Sequence, residues 1–217
     1  MDPLDVWPFP ALRVTSGDLE LRYLDDDLLL QAALLAADGV HAADAMPFTV
    51  PWTRGTPAEV ATSVLRYQWS RRAELSPERW VLELAVLRGG ELVGLQGAQA
   101  TEFRVTRQAE TGSWLGLRFQ GQGIGTRMRR LILHLLFEGL GAERATTTAF
   151  ADNARSNGVT RRVGYRENGR DVLPREGAAA ESIRYVLTRD AWAADPDRPE
   201  VALDGVAAVR RHLGVPD

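Results

Sequence analysis

The 217 residues, 45% hydrophobic and 25% charged, suffice for one compact domain with a sizeable core. A net charge of -3 argues against a chain built to wrap nucleic acid, and no apolar run approaches the roughly 20 residues a membrane-spanning helix needs, so neither partner is expected and a cytoplasmic location is. Cysteine is absent and all 26 basic residues are arginine, which excludes disulfides, thiolate nucleophiles, lysine Schiff bases and a P-loop lysine; His41, His134 and His212 share no metal-ligand spacing, so no metal is expected.

Residues 1–18, with Pro3, Pro8 and Pro10, read as an extended leader. Leu19, Leu21 and Tyr23 then alternate with Glu20 and Arg22, as a half-buried strand would, and Asp25 to Asp27 place carboxylates at the start of a helix over 28–37. Beyond a loop over 41–57, a second helix is expected from Pro57 to about residue 75, with Val60, Val64 and Tyr67 on one stripe. The near-continuous apolar run 80–87, the turn Arg88-Gly89-Gly90 and the segment 91–103 predict a long hairpin, and a third antiparallel strand spans 109–117. Ile124, Met128, Leu131 and Leu135 repeat at helical spacing until Gly139 and Gly141 end the helix. A strand over 144–150, a short helix over 153–162 with Asp152 as its N-cap, and strands over 165–169 and 182–187 complete the order βα(α)βββαβαββ. That order predicts an α/β (α+β) architecture, a mixed sheet with helices on its faces, as one domain over 1–217. From Ala191 a tail rich in Asp and Pro leads to a short helix carrying Val206, Val209 and Leu213. Its apolar stripe would pack on its own domain or on a second subunit, and a homodimer is the expectation.

Between the third strand of the meander and the long helix stands Gln120-Gly121-Gln122-Gly123-Ile124-Gly125. Glycines let backbone amides approach an anion, and the helix that follows adds its positive end, so a phosphate-bearing ligand is expected; a plain tight turn uses the same composition. A dinucleotide-binding loop would follow the first strand of a parallel βαβ unit, whereas this one follows an antiparallel meander.

At these residues the chain resembles the GNAT superfamily of CoA-dependent N-acyltransferases, whose signature is Gln/Arg-x-x-Gly-x-Gly/Ala at the start of the central helix. Gln120, Gly123 and Gly125 fill it, and Arg118, Gly121 and Gly123 satisfy it in a second register. The likeness runs through Gly112-Ser113-Trp114-Leu115-Gly116 before the loop and from Asn153-x-x-Ser156 to Gly164-Tyr165 after it, roughly residues 17 to 190 in all. Those features are similar to the RimJ/RimL branch, many of whose members acetylate protein N-termini. The resemblance implies a mostly antiparallel sheet splayed at the acyl-CoA site. It implies that the amides of Gln120, Gly121, Gln122, Gly123, Ile124, Gly125 and Thr126 bind the pyrophosphate of acetyl-CoA or another acyl-CoA. The backbone of Trp114, Leu115 and Leu117 would pair with the peptide-like pantetheine arm. Asn153 would bond a pantetheine amide and Ser156 would lie near the sulfur; three apart on a helix, they share a face, and organising the first turn is their alternative role. Many members carry a tyrosine seven residues after that asparagine as general acid. Here Thr160 stands there, leaving Ser156 or a water as candidate.

A protonated amine cannot attack a thioester until it loses a proton. The superfamily often places a carboxylate for this on the strand before the loop, where Glu110 stands; Glu102 is second, Glu176 third and His41 a more distant candidate, each with a solvated surface role as its alternative. An oxyanion would be held by a backbone amide near residues 115–117. The reading is transfer of an acetyl or other short acyl group to a primary amine, on a protein N-terminus or a small molecule, by direct attack. Two alternatives stand beside it. A succinyl-type transferase would want an arginine or hydroxyl near the acyl end, in a pocket bordered by Met46, Phe48 and Trp52, and a non-catalytic acyl-CoA sensor is motivated by the missing tyrosine.

Overall fold

A turn at Gly17, whose φ of +59° lies in the left-handed region a residue without Cβ enters freely, folds β1 (Arg13–Ser16) back on β2 (Leu19–Tyr23). The computed structural model describes residues 1–215. In it this hairpin corrects the expectation of an extended leader. After α1 (Pro3–Val6), Phe9, Leu12 and Val14 are wholly buried, and β1 pairs on both sides within the sheet. Pro8 caps a single 3₁₀ turn, Phe9–Ala11, that contains Pro10, and this turn hid the onset of alternation.

Helix α2 (Asp26–Ala37) starts where Asp25 accepts the Leu28 amide at 2.9 Å. Helix α3 (Pro57–Ala73) starts on a reciprocal Thr56–Glu59 capping box with proline in its first turn. The hairpin of β3 (Arg79–Arg88) and β4 (Glu91–Thr101) turns at Gly89 and Gly90; α4 (Phe103–Thr106) then leads to β5 (Gln108–Leu115), which pairs back on β4. The central helix α5 (Ile124–His134) buries Ile124, Met128, Leu131 and Ile132, each worth roughly 1.5–3 kcal/mol against exposure. It closes in a wide turn, with the Leu140 amide on Leu135 O at 2.8 Å and Arg189 donating to Phe137 O at 2.6 Å. Strand β6 (Arg144–Phe150), α6 (Ala154–Arg162), β7 (Arg166–Arg175), β8 (Ala178–Thr188) and α7 (Arg189–Ala193) follow. The short β9 (Ala202–Asp204) and α8 (Val206–His212) end the order.

The nine strands form one sheet in the order β7-β8-β6-β5-β4-β3-β2-β1-β9, antiparallel at every junction except β5–β6. This is the mixed, mostly antiparallel α/β architecture read from the sequence. The last hairpin is longer than the pattern implied. Gly169, at φ +126°, breaks the alternation at a register shift, so the sequence hides the continuation of β7 through Pro174.

The tail expectation is also corrected. Strand β9 adds to the β1 edge, and Val209 and Leu213 are wholly buried on their own chain. The His212 ring packs edge-on against Trp7 and Phe9 at 5.5 and 5.2 Å, joining the two ends of the chain. The stripe that motivated a second subunit is therefore already covered.

Candidate functional site

Parallel pairing of β5 with β6 covers only three residue pairs, from Gln108–Arg144 to Glu110–Thr146, and then stops. Past that point threonines bridge the strands: Thr147 Oγ1 donates to Thr111 O at 2.8 Å and Thr111 Oγ1 to Thr146 O at 3.2 Å. Beyond the bridge the strands diverge. On the other side the Gly116 amide bonds Val93 O at 3.0 Å, which fixes the antiparallel alternation. Even-numbered residues of β5 exchange backbone bonds with β4, so the amides of Ser113 and Leu115 face the gap. Three of the amides expected to meet a ligand are occupied instead. Trp114 pairs with Leu95 of β4, Gly116 is bonded as above, and Leu117 donates to Gly39 O at 2.9 Å.

The gap opens toward the glycine loop. Gly121 and Gly123 sit at φ +74° and +77°, with open space where a Cβ would project. No side chain caps α5, and among the described residues the amides from Gly121 to Thr126 have no acceptor; the first helical bond is Arg127 N–H to Gly123 O. Six free donors at the positive end of a helix form a cradle for an anion such as pyrophosphate. Gln120 has another part in it. Its own amide bonds Leu117 O, and its side chain donates to Val40 O at 2.7 Å and Leu115 O at 3.0 Å while accepting from Arg155 at 2.8 Å. It ties β5, α6 and the 39–41 turn together beneath the loop. The Gln122 side chain is braced between Arg88 and Arg118 O. Gly125 lies between helices: a Cβ there would meet Val159 at 3.5 Å.

Three arginines on one stretch of the central helix, Arg127, Arg129 and Arg130, part company. Arg127 pairs with Asp18 at the surface and Arg130 with Asp195 of the tail, whereas Arg129 is only 4% exposed and points at the start of the gap.

The opposite sheet face carries Glu110, Gly112 and Trp114 in a row. Trp114 contacts Trp52 (6.0 Å between rings), which contacts Phe48 (4.9 Å), which contacts His41 (5.9 Å), so the 41–56 loop lays an aromatic wall against β5. Arg54 holds this loop to the β7–β8 turn through a two-pronged bond to Glu176. That bond lowers the Glu176 carboxyl below its usual range and commits it to structure. Glu110 accepts from Gln99 at 2.9 Å and stays on this face. Glu102 is not brought here. It begins the bend after β4 at φ +49°, at the end of the sheet away from the gap.

A carboxylate the sequence reading passed over shares this face. Glu83, Gly97 and Gly112 are directly opposite one another on β3, β4 and β5. The Glu83 carboxylate lies over Gly97, where a Cβ would stand 2.6 Å from its Oε1, while the space above Gly112 is open. Two adjacent glycines thus make a floor running from the carboxylate to the gap. No hydrogen bond or ion pair reaches Glu83 among the described residues, and burial pushes its carboxyl up to about 7. Tyr23, Gln68, Arg71 and Arg72 share its crevice, but Arg71 is paired with Glu74 and Arg72 with Asp26.

On α6, Asn153 rather than Asp152 is the N-cap, accepting the Ser156 amide at 3.1 Å; Asp152 is drawn off by Arg175. Among the described residues, the half-buried Ser156 hydroxyl has no partner, and neither does the buried Thr160 hydroxyl one turn on. The geometry sets an anion cradle beside an open strand edge, with the Glu83 carboxylate two strands away across the Gly97–Gly112 floor.

Comparisons with known proteins agree. A family model described as an acetyltransferase (GNAT) domain matches residues 18–166. The candidate ribosomal N-acetyltransferase YdaF of Bacillus subtilis (strain 168) is 32% identical over 113 residues, 51% of this chain and 61% of that protein's length. Among solved structures, Mycobacterium smegmatis RimJ in complex with CoA-disulfide superposes with a TM-score of 0.71 at 23% identity, over 93% of this chain and 94% of that one. The ribosomal alpha-N-protein acetyltransferase RimL in complex with coenzyme A gives 0.63 at 22% identity, over 81% of this chain and 96% of that one. At those identities the two structures speak to fold.

Proposed function

We propose, from the premise that the chain belongs to the GNAT acetyltransferase family, that it transfers an acetyl group from acetyl-CoA to a primary amine by direct attack. One observation carries the reading: the β5–β6 gap opens straight onto six unpaired amides at an uncapped helix end. The amides from Gly121 to Thr126 hold the pyrophosphate, and those of Ser113 and Leu115 receive the pantetheine arm and the thioester carbonyl. The amine enters over Gly112, beneath Trp114 and Trp52. Glu83, across the glycine floor, accepts its proton, a role suited by its place over the floor and by its raised pKa. Ser156 faces the same cleft as a secondary donor.

The name of the YdaF relative, a candidate ribosomal N-acetyltransferase, favours a ribosomal-protein N-terminus as the acceptor, and the aromatic wall suits an apolar first side chain. Acetyl-CoA dependence makes the cytoplasm the compartment this reading implies. A homodimer now rests only on two-fold pairs being the commonest assembly. Titration calorimetry with acetyl-CoA, followed by CoA release against N-terminal peptides and small amines, tests the proposal. Absence of acetyl-CoA binding would end it, and binding without release on any amine would favour a sensor.

A further inference from the structure

Among the described residues, Arg129 is the one charged residue that is buried, and it has no carboxylate partner. A guanidinium taken out of water costs several kcal/mol unless its donors are met and its charge is answered. Here the donors meet hydroxyls only: Thr111 Oγ1 at 3.3 Å, Thr147 Oγ1 at 3.4 Å and Ser113 Oγ at 3.1 Å, with Nε left unpaired. A hydroxyl that accepts from a cation must send its own proton elsewhere. Thr111 sends its proton to Thr146 O and Thr147 to Thr111 O. Ser113 has no acceptor among the described residues, is half-buried, and belongs to the stretch of β5 whose backbone amide faces the gap.

We propose that Arg129 and Ser113 form a charge-backed hydrogen-bond donor that receives the sulfur of CoA as it becomes a thiolate, replacing the acid lost with the tyrosine at position 160. The inference rests on the acetyl-CoA reading above. In the transfer the amine nitrogen bonds the acyl carbon, the C–S bond breaks with its electron pair on sulfur, and the amine's proton passes to Glu83. The Ser113 O–H, polarised by the guanidinium, then points at the new negative charge. Other titratable groups near Arg129 do not supply that charge. The Tyr165 phenol, 3.0 Å from Thr111 Oγ1, is kept protonated by burial, and Glu110 projects from the other face of β5.

The test titrates the thiol of bound CoA by its ultraviolet thiolate absorbance in the wild-type protein, Ser113→Ala and Arg129→Met, alongside calorimetric affinity for CoA. Arg129→Met removes a buried charge and is expected to fold; Ser113→Ala, on a half-buried strand position, keeps the test open if it does not. The expected result is a thiol that ionises about one pH unit lower in the wild-type complex than in either variant, a tenfold difference in thiolate. Equal titration in wild type and Ser113→Ala, with CoA bound, overturns the proposal. Failure of CoA to bind at all instead removes the underlying reading. An acyl carboxylate is the other anion that could answer Arg129. A preference for succinyl-CoA over acetyl-CoA that disappears in Arg129→Met would move the site to the acyl chain and overturn the thiolate assignment.

Discussion

Replacing Glu83 by glutamine keeps the shape above the Gly97–Gly112 floor and removes the charge. The carboxyl's ordinary value is 4.5 and burial raises it to about 7. A raised carboxyl pKa means the folded state holds its proton more tightly than the unfolded chain. Below 4.5 both states are protonated and the group contributes nothing; as pH rises toward 7 the unfolded chain ionises first and stability falls. Above 7 the full cost is present, roughly 3 kcal/mol for the interval between the two values, as an upper figure because the side chain is partly reachable by solvent. Glu83→Gln is therefore expected to be more stable than wild type at pH 8 by up to about 3 kcal/mol, with the gain shrinking toward pH 5. Urea unfolding at several pH values measures this. Equal stability at pH 8, or the same pH slope in both proteins, would refute the placement of an unpartnered carboxylate.

The same substitution should be costly for turnover, since a site held at a stability penalty is where function is expected. The acid limb of kcat/KM near pH 7 should vanish in Glu83→Gln, and the deficit should narrow at alkaline pH, where solvent deprotonates the amine unaided. If Glu110→Gln shows that alkaline recovery and Glu83→Gln does not, the proton acceptor is Glu110.

Gly97→Ala should displace the Glu83 carboxylate, since its methyl would stand 2.6 Å from Oε1; steady-state kinetics should show kcat falling with little change in acetyl-CoA affinity. Gly123→Ala places a side-chain residue at φ +77°, costing about 1–2 kcal/mol in stability without a clash, and calorimetry should show acetyl-CoA affinity reduced by about tenfold or more. Truncation after Trp192 should lower the melting temperature and leave the oligomeric state unchanged by light scattering. The removed segment buries Val209 and Leu213 on its own domain, each worth roughly 1.5–3 kcal/mol.

Elements whose period is regular were legible in the sequence. The α5 stripe and the β3–β4 hairpin were, because each is bounded by glycines that must turn. The anion cradle was legible too, since backbone amides need only glycine and a helix start. The two ends were not, because β1 and β9 are four and three residues long and acquire their alternation only by pairing with each other. Gln120 was assigned to the ligand from a motif position, yet its side chain holds the loop's frame and its own amide is bonded.

Neither Glu83 nor Arg129 could be given its role from the sequence. Glu83 is a lone charge in an apolar run and reads as an interruption, Arg129 sits in a cluster with Arg127 and Arg130 and reads as part of a basic surface patch, and only the sheet register shows what each faces. Glu83 becomes meaningful once Gly97 and Gly112 fall opposite it, because two missing side chains let one carboxylate reach across the sheet toward the gap. Arg129 does so once the β5–β6 pairing is seen to end one residue before Thr111, leaving three hydroxyls around a cation and one hydroxyl proton unspent. Both depend on contacts between residues at least 14 positions apart, which periodicity within a segment does not encode. A charge held from water without a counter-charge is costly, and these two bear on β5 from opposite faces of the sheet, Arg129 through Ser113 and Glu83 across Gly112, where that cost has a use.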